Sequence, residues 1–407
     1  MRKLSYIRTL GVSLAGLGIA LASSAVPIGT AVVGGLLQFD YVDFSGDKEG
    51  VVRSSGDVRR ADIWIKGDLP KEWSYQLGYD ARYNLLNASW IGYDGFDYFW
   101  LAMGYIDVPQ SIQYWSSYTY ETFMEYASPV TAFTPHKGIG LYADGLAFQD
   151  MFSYQGAFYS PDIYTEETVQ VRTRSADIGN DSDQWGIAAR GVVRPKLGLG
   201  DILHIGASGR FEGVSETDTL NALVTTPGLL GRTNESDRTN IFVSTVTPTE
   251  GDVNNVTVFG AELADVWGPF TAQGEYIYNK WTGATDVSSL SFSGWYAQLA
   301  YVITGESRSY DKYNGTIGNV ENINNDYGAW ELAVRYASTD LSDNPDEGYD
   351  VNDKRGSQKD WALGVNWYII ENVKLQANFT YANAEYETEG VNDAHIKGMG
   401  IRAQVDF

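Results

Sequence analysis

The stretch Met399-Gly-Ile-Arg-Ala-Gln-Val-Asp-Phe407 decides how the rest of the chain is read. Met399, Ile401, Ala403, Val405 and Phe407 are apolar on one parity; Gly400, Arg402, Gln404 and Asp406 are small or polar on the other. Side chains alternate across a strand with a period of two, so this segment has one apolar face and one wetted face. It runs in strand register to the aromatic Phe407. A soluble sheet shows such alternation too. Recurrence along the chain, at the lengths a bilayer demands, separates the two cases.

The pattern recurs. Leu37, Phe39 and Tyr41 alternate with Gln38 and Asp40 in a first strand near 35–44, and Ala61, Ile63 and Ile65 oppose Arg60, Asp62, Trp64 and Lys66. Trp73, Tyr75, Leu77, Tyr79, Ala81, Tyr83 and Leu85 oppose Ser74, Gln76, Gly78, Asp80, Arg82 and Asn84. That unbroken run predicts one long strand over 73–85, aromatic near both ends like a span between two interfacial girdles. Soluble strands average about five or six residues. Further strands are expected near 88–94, 97–107, 138–145 and 150–159. Trp185 to Arg194 and Leu203 to Glu212 alternate in the same way. The series continues near 255–265, 269–280, 292–304, 328–338, 361–368, 373–383 and 396–407. Short turns (Trp267-Gly-Pro269, Ile370-Glu-Asn372) alternate with long polar loops, as periplasmic turns and external loops do in outer-membrane barrels. The connection 305–327 departs from this, being long on the side that should be short. Sixteen strands result when Ile241-Phe-Val243 stays inside a loop over 213–254. An even count suits a single-chain barrel with both ends periplasmic. The expected fold is therefore an all-β transmembrane antiparallel barrel of sixteen strands.

Composition agrees with export. Arg2, Lys3 and Arg8 precede an apolar stretch from Leu10 to Ala22, and Ser23-Ser24-Ala25 offers small residues for cleavage. This reads as a signal peptide over 1–25 ahead of a single domain over 26–407. The competing reading, an uncleaved anchor, is weakened by Pro27 and the glycines around it. Losing the leader moves the net charge from −23 to −26, which leaves no electrostatic affinity for nucleic acid. The chain has no cysteine, so thiolate nucleophiles, thiolate metal sites and disulfides are excluded. Beyond the leader no apolar run is long enough for a helical span. The mean hydropathy of −0.25 is ordinary because a barrel alternates its apolar residues. A soluble periplasmic β-protein is the rival that purification without detergent would reveal.

Strand parity points Arg60, Lys66, Arg82, Arg190, Arg194, Arg210, Arg335, Lys374 and Arg402 inward as pore-lining residues. A ladder of fixed positive charge would ease the entry of an anion into a wet lumen. A polar interior equally pairs such residues with Asp62, Asp80, Glu212, Glu262, Glu275 and Glu331. The segment 108–137 is the expected inward-folded constriction loop, since unstructured loops beyond about fifteen residues are usually functional. Its Asp107, Tyr114, Trp115, Tyr118, Tyr120, Glu121, Glu125 and Lys137 would form a partly apolar, acidic eyelet. The acidic run Asp340, Asp343, Asp346, Glu347, Asp350 and Asp353 lacks the spacing of a calcium loop and reads as solvated. Of the three histidines, His204 shares a face with Ser208, but four residues along a strand is about 13 Å, too far for a nucleophile and its base. No enzyme, no metal and no cofactor is expected.

Gly268-Pro-Phe270 with Glu275-Tyr276, Gly294-Trp-Tyr296, Thr304-Gly-Glu-Ser-Arg308, Gly328-Ala-Trp-Glu331 with Arg335-Tyr336, Asp340-Leu341, Gly364-Val-Asn-Trp-Tyr368 and Arg402-Ala-Gln-Val-Asp-Phe407 together resemble the phosphate-selective porins O and P. Val58-Arg-Arg-Ala61, Thr122-Phe-Met-Glu125 and Gly138-Ile-Gly-Leu141 look like the same family. The resemblance implies a homotrimer in outer-membrane lipid and lipopolysaccharide. It also implies assembly by the barrel-assembly machinery, with Phe407 as the assembly signal. Anion selectivity in such porins rests on lumenal arginines and on lysines at the constriction loop. Here the loop is entered by Gly104-Tyr-Ile-Asp-Val-Pro109, with Tyr105 and Asp107 where phosphate-selecting members resemble Gly-Lys-Phe-Lys-Val-Pro. The expectation is passive, weakly selective diffusion of small hydrophilic solutes. A phosphate- or polyphosphate-selective anion channel is the alternative. A surface adhesin or receptor barrel without transport is the alternative from another class.

Overall fold

The computed structural model describes residues 31–47, 52–134, 137–161, 184–195, 202–215, 220, 222–231, 241–245, 247–248, 251–284, 287–343, 349–350, 354–388 and 390–407. The expected leader 1–25, His136, Asp346, Glu347 and Asp353 lie outside the described residues. Described strands in chain order are β1 (Ala31–Gly46), β2 (Ser55–Leu69), β3 (Trp73–Asp80), β4 (Leu85–Tyr93), β5 (Trp100–Asp107), β6 (Lys137–Ala147), β7 (Phe152–Pro161), β8 (Trp185–Val193), β9 (Ile202–Gly213) and β10 (Thr247–Pro248). They continue as β11 (Val253–Trp267), β12 (Phe270–Gly283), β13 (Leu290–Val302), β14 (Ser307–Asp311), β15 (Thr316–Glu321), β16 (Ala329–Asp340), β17 (Tyr349–Asp350), β18 (Gly356–Ile370), β19 (Val373–Tyr386) and β20 (Ala394–Asp406). Sixteen of them close into one antiparallel barrel, while β10 with β17 and β14 with β15 form two separate pairs.

Closure follows the parity of the last strand. Leu37 lies opposite Val405, Phe39 opposite Ala403 and Tyr41 opposite Ile401, an apolar outer face that runs unbroken across the seam. Inside the seam Gln38 donates to Gln404 at 2.8 Å and Arg402 pairs with Asp40 at 2.7 Å. Phe407 exchanges backbone hydrogen bonds with Gly35 at 2.9 and 3.1 Å, and its ring lies where a side chain on Gly35 would stand, 2.4 Å from an added Cβ. Asp at the lipid-facing Val405, or loss of Phe407, should therefore lower the yield of folded barrel. Gly35→Val should do so less, by displacing the ring alone. Heat-modifiable electrophoretic mobility measures all three, and equal yields would contradict the closing role of this end.

Two expectations change. The run 73–85 is not one strand. It folds back at residues 81–84, so that Asp80 pairs with Leu85 and Trp73 with Tyr93. The Asp80 carboxylate accepts the backbone N–H groups of Arg82 and Tyr83 at 2.9 and 3.2 Å, and Asn84 takes φ 60. Such an Asx turn reverses a chain. Its residues happen to continue the alternation, so parity passes through the turn unnoticed.

The second change is the interior, which is not polar throughout. Val42, Phe44, Val256, Val258, Trp281, Phe292 and Ile396 of the wall pack with Leu229, Phe242 and Val243 of the connection 214–252, and with Val130 and Phe133 of the connection 108–136. Inward-folded segments carry apolar side chains with them, and the wall behind them becomes a core. Residues 241–245 indeed lie outside the barrel sheet; Ser244 bridges Val224 within the same connection. The long connection 305–327 is explained likewise. Its hairpin β14–β15 folds into the lumen instead of lengthening the periplasmic rim.

Candidate functional site

Residues 108–134, the segment expected to form the constriction, fold into the lumen and carry two short helices, α1 (Ile112–Trp115) and α2 (Ser128–Phe133), separated by a helical turn at Tyr118–Tyr120. Asp107 and Lys137 face each other in register at the neck, 2.8 Å apart, and the Tyr114 hydroxyl donates to Asp107 at 3.1 Å. Ser111 caps α1 through the N–H of Tyr114. Beyond the neck the segment lies flat against the far wall.

That wall holds it by its carbonyl oxygens. Lys374 donates to Thr119 and Glu121 at 3.0 Å, and Gln404 to Thr119 at 3.0 Å. Asn366 reaches Thr122 at 2.8 Å, and Arg335 reaches Glu125 and Tyr126 at 3.0 and 3.3 Å. Arg402 reaches Met124, and Arg210 reaches Phe133 at 3.2 Å. Asn378 accepts the N–H of Met124 at 2.7 Å. The close approach needs room. A Cβ on Gly294 would lie 2.7 Å from Pro129 and 2.8 Å from the Ser338 carbonyl, so only glycine lets α2 pack there. Four of the nine inward basic residues, Arg210, Arg335, Lys374 and Arg402, thus anchor the loop.

The others divide. Arg190 is fully buried, bidentate to Glu262 at 2.8 and 2.7 Å, and donates to the carbonyls of Asn314 and Gly315 at the hairpin tip. Arg194 lies past the end of β8 and holds the turn at Asp150 and Ser153. Arg82 is in the external turn, where it pairs with Asp57 and donates to the Arg59 carbonyl. Lys66 is half-buried in β2. Arg60 remains at the open side, donating to Gln38 at 2.8 Å with its guanidinium 3.6 Å from the Tyr118 ring. The expected pairing of inward arginines with inward acids holds for Glu212 and Glu262, while Glu331 pairs with Arg308. Glu275 instead accepts from Ser111, Tyr296 and the N–H of Gln113.

The hairpin β14–β15 braces the constriction from the periplasmic side. Arg308 is bidentate to Glu331 at 2.7 and 2.8 Å, donates to the Tyr368 hydroxyl at 2.8 Å, and reaches up to the Tyr120 carbonyl at 2.8 Å. At its other edge Tyr310 meets His204 at 2.7 Å, and His204 meets Glu262 at 3.1 Å. Ile317 packs with Ile112 of α1, Ala264 and Val266. Hairpin and loop therefore form one cross-linked partition.

A slot is left between this partition and the wall of β2–β4. Arg59, Arg60, Asp62, Asp80, Tyr83, Asn87, Tyr114, Tyr118, Glu125, Tyr126 and Lys137 are among its lining residues. Arg59 is not visible to parity. A bulge shifts the register so that Gln38 faces Arg60 and Phe39 faces Val58, which turns both arginines inward. The signal was the spacing: Val58 and Ala61 are outward apolar positions three apart, one residue too many for a regular strand. Trp115 stacks on Tyr142 at 5.7 Å and Tyr118 on Tyr126 at 5.3 Å, so the aromatics of the segment pack rather than project. Tyr120 is half-buried at the end of the helical turn.

The two glutamates of the segment differ. Burial disfavours the Glu125 carboxylate, but Arg59 (2.8 and 3.0 Å) and Arg402 (2.9 Å) outweigh it and hold the carboxyl well below the usual range. Glu121 is buried behind the loop, with a hydrogen bond from Gln113 at 2.9 Å. Burial pushes it up to about 7, against the pull of that bond and of Arg335 and Lys374. A raised carboxyl pKa means the anchored loop binds a proton that a released loop, with its ordinary value near 4.5, does not. Anchoring is then strongest below that ordinary value and is lost progressively as pH rises through about 7. Glu121→Gln should remove this dependence, read as open-channel noise between roughly pH 5 and 8. An identical pH profile in the variant would contradict it.

A closed barrel with apolar outer face, and a lumen narrowed by segments folded in from both ends, defines an outer-membrane diffusion channel. The chain belongs to the phosphate-selective porin O and P family, whose pattern matches residues 32–407. Porin O of Pseudomonas aeruginosa is 27% identical over 394 residues, covering 92% of this chain and 88% of that one. An uncharacterised protein of Caulobacter vibrioides is 25% identical over 387 residues, covering 92% and 73%. Among solved structures, the trimer form of OmpT from Vibrio cholerae matches with a TM-score of 0.56 at 10% identity, over 93% of this chain and all of that one. The channel DcaP of Acinetobacter baumannii matches at 0.52 and 8% identity, over 93% and 97%. These structural likenesses carry the fold alone. Family and fold place the protein in the outer membrane of a Gram-negative bacterium, as a channel for passive diffusion and not an enzyme.

Proposed function

We propose that the protein passes small hydrophilic solutes and ions through a narrow, weakly selective slot, and that it has no phosphate site of high affinity. The observation that carries this reading is the engagement of the basic residues. Arg210, Arg335, Lys374 and Arg402 donate to carbonyls of the constriction loop, and Arg190 is covered by the hairpin. Lys137 is paired with Asp107. Few cations are left to strip an anion of its water. A working assembly would be a homotrimer, delivered through a cleaved leader and folded by the barrel-assembly machinery into outer-membrane lipid and lipopolysaccharide, with Phe407 as the recognised end. Planar-bilayer recording of the purified, detergent-extracted protein tests this. Small steady conductance steps, insensitive to millimolar phosphate, are expected. Barrels that fold and insert without conductance would favour an adhesin or receptor instead.

The second reading, a phosphate- or polyphosphate-selective anion channel, draws on the bulge that turns Arg59 and Arg60 together into the slot. Block of chloride current by millimolar phosphate would favour it.

A further inference from the structure

The slot contains more carboxylate than its loop supplies. Asp62 of β2 and Asp80 of β3 lie directly opposite each other in register, both on the inward face. Paired positions on antiparallel strands put their Cβ atoms about 5 Å apart, and like charges there repel. Asp62 accepts one hydrogen bond, from Asn87 at 3.2 Å. Asp80 uses a single oxygen, Oδ1, to close the turn at Arg82 and Tyr83. Neither forms an ion pair among the described residues, and both line the slot.

The positive charges of the slot are already engaged. Arg59 is bidentate to Glu125, and Lys137 is paired with Asp107. Arg60 alone lacks a carboxylate, yet it donates to Gln38 and one face of its guanidinium lies 3.6 Å over the Tyr118 ring. An aromatic face already offsets part of a cation's field. Against one guanidinium so occupied stand two carboxylates with free oxygens.

We propose that Asp62 and Asp80 set the ion preference of the channel, and that it favours small cations over anions of the same size. The inference rests on the reading of the chain as a weakly selective diffusion channel. It adds which sign of charge is favoured and which residues decide it. Charge elsewhere matters less, because fixed charges on the outer loops are screened beyond roughly 8–10 Å in physiological salt. Within the slot a single fixed charge about 6 Å from a permeating ion changes its occupancy about threefold at water-like dielectric. Two such charges change it about tenfold.

Reversal potentials in a potassium chloride gradient test the proposal on the full-length protein in planar bilayers. Wild type should reverse on the potassium side of zero. Each charge acts on the two ions with opposite sign, so Asp62→Asn with Asp80→Asn should lower the potassium-to-chloride permeability ratio by up to about a hundredfold, and Arg60→Gln should raise it about tenfold. The Arg60→Gln arm keeps the test intact should the double variant fail to fold. Its opposite sign also separates a charge effect from a deformed slot. Neutralising Asp346 and Glu347, which fall between β16 and β18 in the sequence, should leave the ratio within experimental error. A wild-type preference for chloride, or a ratio unmoved by the slot variants, would overturn the inference while leaving the diffusion channel in place. Absence of any conductance would overturn both.

Discussion

The Arg308→Met variant is expected to open larger and noisier single-channel currents than wild type, with a conductance several times higher. Arg308 is one of the best-connected side chains in the lumen. It holds the buried Glu331 by two hydrogen bonds, the Tyr368 hydroxyl and the Gly318 carbonyl, and it reaches the Tyr120 carbonyl of the constriction loop. Methionine keeps much of the stem volume but leaves Glu331, 1% exposed, without its counter-charge. Removing one partner of a buried pair costs about 3–5 kcal/mol. Most of that penalty falls on the lodged state of the hairpin, because a displaced hairpin lets water reach Glu331. The barrel sheet itself, closed by sixteen strands, should remain folded. Electrophoretic mobility of the folded form should therefore be unchanged while conductance rises. A variant with wild-type conductance and noise would show that the hairpin stands without this arginine.

Glu125→Gln is expected to shift reversal potentials toward anions and to loosen the loop at once. Glu125 is shared by Arg59 and Arg402, and Arg402 keeps Asp40 when it is gone. Arg59 keeps no carboxylate, so the slot gains a positive charge where it had a neutral pair. The cost should fall toward the lower end of about 3–5 kcal/mol, since Arg59 borders a wet slot and is partly screened. Paired measurements of reversal potential and thermal unfolding distinguish the two effects. Glu121→Gln, whose side chain is buried behind the loop beside Gln113, should barely move the reversal potential near neutral pH. Equal shifts from both variants would mean that each glutamate faces the ion path. Arg402→Gln should also weaken the loop. It withdraws a partner from Asp40, Glu125 and the Met124 carbonyl together.

Alternation in the sequence determines the barrel, its sixteen strands, the outward face of the closing strand and the position of the long connection that follows residue 107. Each of these depends on a period of two and on chain length, which are local properties. The long connection 305–327 is equally visible as an anomaly, though its destination is not. Only the tertiary structure decides what the inward residues do, because an inward residue meets whatever has been folded into the lumen opposite it. Arg335, Lys374 and Arg402 look like a ladder for anions until the loop lies across them and takes their hydrogen bonds. Asp62 and Asp80 look like partners for arginines until those arginines are engaged elsewhere. The bulge at Arg59 and the turn at 81–84 break the register by one residue or reverse it, and parity carries no mark of either beyond the Val58–Ala61 spacing. Strand pattern fixes which side of the wall a side chain faces; packing across some hundreds of residues of sequence fixes its partner.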